Sequence, residues 1–238
     1  MSTGTLSTAA TTFDAAASEY AAQLEQGISL SGEAASYFVE GRVAFLAQYL
    51  EGRMPLHGLQ VLDFGCGVGN ACGALRDQLH AQQVVGLDCS AESLEIARSR
   101  YPTNTFEWSL DGQTIAPQSM DVVYTSGVFH HIPPPQRQAE LDKIYGWLKP
   151  GGYFALFENN PWNPATRWVM SRIPFDRDAQ CLSPRETRRR LLTAGFQLEL
   201  TRSLFYFPKS LRLLRVCEGL LSAIPLGAQY VVLCRRPA

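Results

Sequence analysis

VLDFGCGVGN, residues 61–70, sets Gly65, Gly67 and Gly69 directly after a short apolar run, LQVLDF (59–64), and just before NACGALRDQLH (70–80), which can continue as a helix. A short apolar run ended by glycine predicts a buried strand, so the stretch reads as a strand, glycine loop, helix unit. Missing side chains let the loop's N–H groups approach a ligand at the helix N-terminus. Alone, the loop signals only nucleotide binding, with a tight βα turn and an NAD site as competing readings. The details that discriminate are G-x-G-x-G in place of G-x-G-x-x-G, Asp63 two residues before Gly65, and Asp88 at the end of the next strand.

Outward from the loop the pattern repeats. QQVVGLD (82–88) predicts a second strand and SAESLEIARSRY (90–101) a helix with Ser90 as its N-cap and Glu92 in its first turn. TFEWSL (105–110), MDVVYTSG (120–127) and YFALFE (153–158) predict three more strands, with a helix over QAELDKIYGWL (138–148) closed by Lys149-Pro150-Gly151-Gly152. Strands alternating with helices build a parallel α/β sheet. Ser183-Pro184-Arg185-Glu186 joins an N-cap, a Pro at the first helical position and a Glu three after the cap, and predicts a helix over 184–194 ended by Gly195. A strand over FQLELTRSLFYF (196–207), a helix over 210–224 and a last strand over QYVVLCR (229–235) follow. That inserted helix is a candidate lid, because two closing strands could be joined more briefly. Ahead of the first strand, helices are predicted over 33–51 and around Phe13 to Glu25, with residues 1–12 as a disordered tail.

Composition narrows the function. The chain of 238 residues is 46% hydrophobic and carries a formal charge of −1, which suits one large domain and disfavours a polybasic nucleic-acid module. Charge is uneven: residues 1–41 hold five acidic and no basic residues, whereas residues 161–238 hold thirteen basic against five acidic ones. The two ends are therefore expected to attract each other. Arg188, Arg189 and Arg190 read either as a solvated helix face or as part of a cap favouring an anionic substrate. Six scattered cysteines without a C-x-x-C pair or clustered histidines suggest neither a disulfide scaffold nor a metal site, and favour a reducing, cytoplasmic compartment. No apolar run approaches membrane-spanning length, and no basic residue precedes Arg42, so secretory and mitochondrial presequences fit poorly.

The chain resembles the class I S-adenosylmethionine-dependent methyltransferases of the bacterial small-molecule type. The resemblance extends beyond the loop through GLDCS, the LDG after strand three, DVVYTSGVFHHI and LKPGGYFALFE, over about residues 60 to 160. It implies a Rossmann-like, seven-stranded, mostly parallel sheet with helices on both faces and an antiparallel last strand. Around this sit an N-terminal helical cap (13–58), a cofactor-binding half (59–158) and a substrate-side half (159–238). The implied cofactor is S-adenosylmethionine, with S-adenosylhomocysteine as product. Carried over by position, Gly65, Cys66, Gly67 and Gly69 form the loop around the methionine moiety, with Asp63 holding its amine. Asp88 accepts from the ribose hydroxyls, Cys89 lies against the adenine, Asp111 takes its exocyclic amine with the Gly112 N–H beside it, and Ser126 and Gly127 face the sulfonium. Cys66 has no nucleophilic role.

On the acceptor side, His130 and His131 lie just past strand four. His130 is favoured as general base and His131 as a packing residue, because related mycolic acid methyltransferases place an acidic residue facing the substrate cavity at the first position; the alternative is that either histidine only packs or bonds its loop. Glu158, Asn159, Asn160 and Asn163 leave strand five at the open edge of the site and read as acceptor-orienting groups or as ordinary turn residues. Tyr20, Arg42, Arg167 and Tyr206 are weaker candidates for lining the pocket. The expected function is methyl transfer to O, N or C of a small molecule by a monomer or homodimer. The alternatives are an RNA methyltransferase using the basic C-terminal half and a catalytically inactive cofactor-binding protein. Against RNA, the chain reads SGVFHHIP after strand four, without the Asn/Asp-Pro-Pro-aromatic tetrapeptide of amino-methylating enzymes.

Overall fold

In a computed structural model that describes residues 31–173 and 179–238, strand β1 (Leu59–Phe64) lies third in a seven-stranded sheet, next to the central strand. The other strands are β2 (Ala81–Leu87), β3 (Phe106–Ser109), β4 (Met120–Ser126), β5 (Leu148–Asn159), β6 (Gln197–Leu204) and β7 (Gln229–Arg235), in the order β3-β2-β1-β4-β5-β7-β6. β1 to β5 pair in parallel, and β7 runs antiparallel to both β5 and β6. Side chains alternate across each strand, so the sheet buries two faces. Val61, Val122, Tyr124 and Phe157 pack on one, under helices α1 (Ala35–Leu50) and α2 (Cys72–Gln78). Leu62, Val123, Phe154 and Leu156 pack on the other, under α4 (Arg137–Trp147) and α6 (Pro184–Thr193), while α3 (Ala91–Arg100) follows β2.

The order reverses between β1 and β4, which makes the carboxyl ends of these neighbours the place where such a sheet opens a crevice. The predicted caps form: the Ser90 side chain accepts from the Ser93 N–H and the Ser183 side chain from the Glu186 N–H.

The structure departs from expectation in four places. β5 begins at Leu148, through Lys149-Pro150-Gly151-Gly152, because Leu148 already pairs with Met120. The strand toward Phe207 stops at Leu204, since Phe205 takes a left-handed φ of 61° that breaks the ladder. Asn160 to Trp168, read as turn, contains helix α5 (Pro164–Met170), with Asn163 accepting from the Thr166 N–H and Pro164 at the first position. The expected lid helix over 210–224 is instead a 3-10 helix (Lys209–Cys217), kinked at Leu211, and a short α7 (Glu218–Leu221). Lys209, Arg212 and Arg215 recur every third residue, the period of a 3-10 helix and not of an α-helix. The expected tail, the helix near Phe13 to Glu25 and Tyr20 lie outside the described residues.

Gly65 shows how tightly the loop is fitted. It sits at φ +75°, and a Cβ added there would stand 2.3 Å from Val128 Cγ2. Gly65→Ala is expected to destabilise by about 2–4 kcal/mol through left-handed strain and overpacking. Gly146→Ala in α4, where an added Cβ meets nothing within 4 Å, should stabilise by about 0.5–1 kcal/mol. Urea denaturation of both variants checks the pair.

Candidate active site

The glycine loop is laced to the neighbouring strand by its own backbone. The N–H groups of Gly65 and Cys66 donate to the Leu87 carbonyl at 2.7 and 3.0 Å, and the Gly67 N–H donates to Asp88 Oδ2 at 2.7 Å. The other carboxylate oxygen of Asp88 accepts from the Ser90 N–H at 2.9 Å. One side chain thus holds both the loop tip and the approach to α3. A Cβ added at Gly67 would meet no protein atom within 4 Å, so the tip borders open space.

That space is a cavity of about 880 Å³. At one end Asp63, Gly65, Cys66, Gly67, Asp88, Cys89 and Asp111 line it, together with Leu110 and Trp147. At the other, Tyr37, Phe38, Trp168 and Phe205 form an aromatic wall beside His131, Asn159, Asn163 and Tyr206. Ser126 and Gly127, at the end of β4, line the cavity as well. Two glycines assigned to the cofactor have other work. Gly69 packs against Tyr101 and Trp108, and the Gly112 N–H donates to Ser109 Oγ, so it is already committed and does not sit beside the Asp111 side chain as a donor to ligand.

Two buried carboxylates flank the site and are handled oppositely. Burial pushes the Asp63 carboxyl up to about 7, against a hydrogen bond from Cys72 Sγ at 3.4 Å and the more distant pull of Arg42. Burial also acts on Glu158, but the imidazole of His130, with His131 and the Phe129 amide, outweighs it and holds this carboxyl below its ordinary range. Glu158 Oε2 meets His130 Nδ1 at 2.6 Å, and Oε1 accepts from the Phe129 and His130 N–H groups at 2.8 and 3.3 Å.

The placement of the two histidines is the opposite of the one expected. His130 is 4% exposed and turned away from the cavity into its ion pair, while His131, with its ring centroid 4.1 Å from that of His130, lines the cavity. The reason is Glu158: a charge at the buried end of β5 needs a partner, and the adjacent loop supplies the nearer histidine. Glu158 is accordingly an anchor and not a cavity wall.

Asn160, expected at the open edge of the site, does not line the cavity. It is fully buried, donating to the Pro225 and Gly227 carbonyls and accepting from the Trp162 N–H. Arg167 points off α5 outside the cavity. Asn163 and Tyr206 border it, but Asn163 caps α5 and donates to the Leu226 carbonyl, and the Tyr206 hydroxyl donates toward the Leu221 and Ile224 carbonyls. Arg188, Arg189 and Arg190 lie on α6 outside the cavity; Arg188 and Arg189 are exposed, as a solvated face would be, while Arg190 is largely covered and paired to Glu186. The attraction between the chain's two ends does appear, as a 2.8 Å ion pair of Glu33 with Arg215.

Tyr124 and Gln229 join the site without being among the residues expected from the sequence. The buried Arg42 faces the cavity and donates to the Tyr124 hydroxyl and to Gln229 Oε1, both at 3.0 Å. The signal was present: Arg42 lies four residues from both Phe38 and Leu46, on the apolar side of α1, and a tyrosine inside an apolar strand needs a polar partner.

Comparison with known proteins agrees with this geometry. A family model described as "Methyltransferase domain" matches residues 61–152. The chain is 35% identical over 113 residues to the trans-aconitate 2-methyltransferase of Variovorax paradoxus, covering 46% of this chain and 42% of that protein. It is 33% identical over 131 residues to an uncharacterized methyltransferase of Synechocystis sp., covering 55% of this chain and 61% of that one. The chain thus spans roughly half the length of these relatives. Among solved structures, a chain in the complex of the Haloferax volcanii Trm112 methyltransferase activator with a methyltransferase has a TM-score of 0.65 at 22% identity, over 95% of this chain and 98% of that one. Geranyl diphosphate methyltransferase in complex with SAM gives 0.62 at 17% identity, over 83% and 85%. These two likenesses show the fold.

His130→Ala leaves the Glu158 charge buried without its imidazole and should cost about 3–5 kcal/mol, whereas the half-buried His131→Ala should cost under about 1 kcal/mol; chemical denaturation separates them. The raised Asp63 carboxyl sets a second expectation. Its folded state keeps the proton to about pH 7 while the unfolded chain releases it near 3.8. Its contribution is complete below 3.8, declines as pH rises toward 7 and is then lost. Melting curves of the ligand-free protein from pH 4 to 8 should show a weaker decline in Asp63→Asn.

Proposed function

Starting from the class I S-adenosylmethionine-dependent methyltransferase domain that this chain carries, we propose that it transfers a methyl group from S-adenosylmethionine to an oxygen, nitrogen or carbon of a small-molecule acceptor, leaving S-adenosylhomocysteine. The observation that supports this reading is the continuity of the cavity: the glycine loop, Asp63 and Asp88 line one end, and the aromatic wall with His131 lines the other. Donor and acceptor share one chamber.

The residues fit the cofactor. The open space at Gly67 admits a ligand against the loop backbone. Asp88 already accepts two amides, and a carboxylate retains lone pairs for ribose hydroxyls. Asp63 is buried with a raised carboxyl, and an ammonium group placed beside it favours the ionised form. Cys89, Leu110, Asp111 and Trp147 offer a partly apolar end for the adenine. When bound, the cofactor supplies a methyl group already activated by a sulfonium, so the protein's share is orientation and exclusion of water.

The acceptor wall of Tyr37, Phe38, Phe205 and Trp168 suits a molecule with an apolar body. Arg188 to Arg190 lie outside the cavity, and the basic residues that line it are Arg42, Lys143 and Arg215, of which Arg42 bonds Tyr124 and Gln229 and Arg215 pairs with Glu33, so an anionic acceptor would be met by these three. For a hydroxyl or phenol acceptor, His131 is the side chain placed to take the proton, and His130, gripped by Glu158, is a positioning residue behind it.

Incubation of the full chain with labelled S-adenosylmethionine and metabolite, lipid or RNA fractions tests the reading: label in small molecules supports it, and label only in RNA, or no cofactor binding, contradicts it. Asp88→Ala should weaken cofactor binding by about 1.5–3 kcal/mol, measured by calorimetry. With a hydroxyl acceptor, His131→Ala should lower turnover by roughly a hundredfold while leaving cofactor affinity in place.

A further inference from the structure

The segment between β6 and β7 is built inside out. In the 3-10 helix and α7, the charged residues recur at every third position, and two of them turn toward the protein. Arg215 pairs with Glu33, donates to the Phe207 carbonyl and lies 4.6 Å over the Tyr37 ring, while Glu218 accepts from the Tyr206 and Phe207 N–H groups. The apolar residues point outward: Leu213, Val216 and Leu220 are 84, 86 and 87% exposed, and no residue of either helix is buried. Scattered exposed apolar side chains need no explanation, but a run of them facing solvent while charges face inward does.

The face continues. Asn160, Asn163 and Thr166 are hydrogen-bonded to residues 225–228, which ties the segment carrying the half-exposed Trp162 and Trp168 to the one carrying Ile224 and Leu226, also exposed. The outward charges on these segments are Arg167, Arg172, Lys209 and Arg212; Glu218, turned inward, is the acidic residue among the described ones. Trp168, Phe207 and Pro208, from the same segments, also line the cavity, so this face borders its mouth.

We infer that this face docks on an anionic lipid bilayer, with Leu213, Val216 and Leu220 entering the headgroup boundary beside tryptophans and flanked by Lys and Arg. Exposed leucines with interfacial tryptophans and basic residues are the composition of a surface-lying element, and the net positive charge selects anionic lipid. Among the described residues no helix is long and apolar enough to cross a membrane, so the attachment is peripheral. Resting on the methyltransferase reading, the mouth then opens at headgroup level and the acceptor is an amphiphile drawn from the bilayer, its apolar part against Tyr37, Phe38 and Phe205.

Sedimentation of the full chain with vesicles tests this, using phosphatidylcholine alone and phosphatidylcholine mixed with phosphatidylglycerol. The wild type should pellet with the mixed vesicles. The triple variant Leu213→Gln, Val216→Gln, Leu220→Gln, whose side chains support no core, should bind roughly tenfold or more weakly with an unchanged melting curve. The pair Lys209→Gln, Arg212→Gln should lose binding to the mixed vesicles selectively. Wild type left in the supernatant with both vesicle types, or a triple variant that pellets like the wild type, overturns the inference. So does a wild-type dimer that the triple variant converts to monomer without vesicle binding, since the face would then join two copies. Calorimetry with S-adenosylmethionine runs beside the assay: its failure counts against the methyl-transfer reading and leaves the docking result standing.

Discussion

Backbone amides that emerge where parallel strands end must find acceptors, and in this fold two carboxylates meet that demand. Asp88, just past β2, takes the Gly67 N–H of the loop after β1, and Glu158, at the end of β5, takes the Phe129 and His130 N–H groups of the loop after β4. In each case the acceptor comes from a strand next to the one that feeds the loop. The two loops flank the place where strand order reverses, so fastening them fixes the shape of the crevice between. The aromatic wall, the cap from α1 and the segment before β7 are arranged around that fixed edge.

The electrostatics of the crevice follow from which carboxylate is already paired. Glu158 has an imidazole and three amides, those of Phe129, His130 and Asn159, so its charge is settled before any ligand arrives. Asp63 has a thiol and a more distant guanidinium, which leaves burial in control. Arg42 spends its hydrogen bonds on neutral partners, Tyr124 and Gln229. Asp63 is thus the buried carboxyl that a cationic group placed beside it would ionise, whereas Glu158 is already paired within the fold.

Much of this was legible in the chain. The strand, glycine loop, helix unit was plain because its pattern is local: LQVLDF forms β1 with the bounds expected of it, and Ser90 and Ser183 cap where their spacing places them. The orientation of His130 and His131 was not legible, because it depends on Glu158, 28 residues from His130 in sequence and hydrogen-bonded to it across the sheet edge. Asn163-Pro164 carried a helix-start signal outweighed by the turn-forming residues around it. The segment from Lys209 to Leu221 mixes a three-residue charge period with apolar residues, and an α-helix was the nearest familiar period.

We propose that the Asp63 end of the crevice is built for the cationic end of S-adenosylmethionine. This is tested most directly by titrating the full chain with that cofactor near pH 6.5 in buffers of different ionisation enthalpy. Because Asp63 holds a proton to about pH 7 without ligand and an ammonium group beside it favours release, binding should liberate a proton to the buffer, and Asp63→Asn should bind without that release. No binding heat in any buffer, or a proton count unchanged between wild type and Asp63→Asn, would contradict the account.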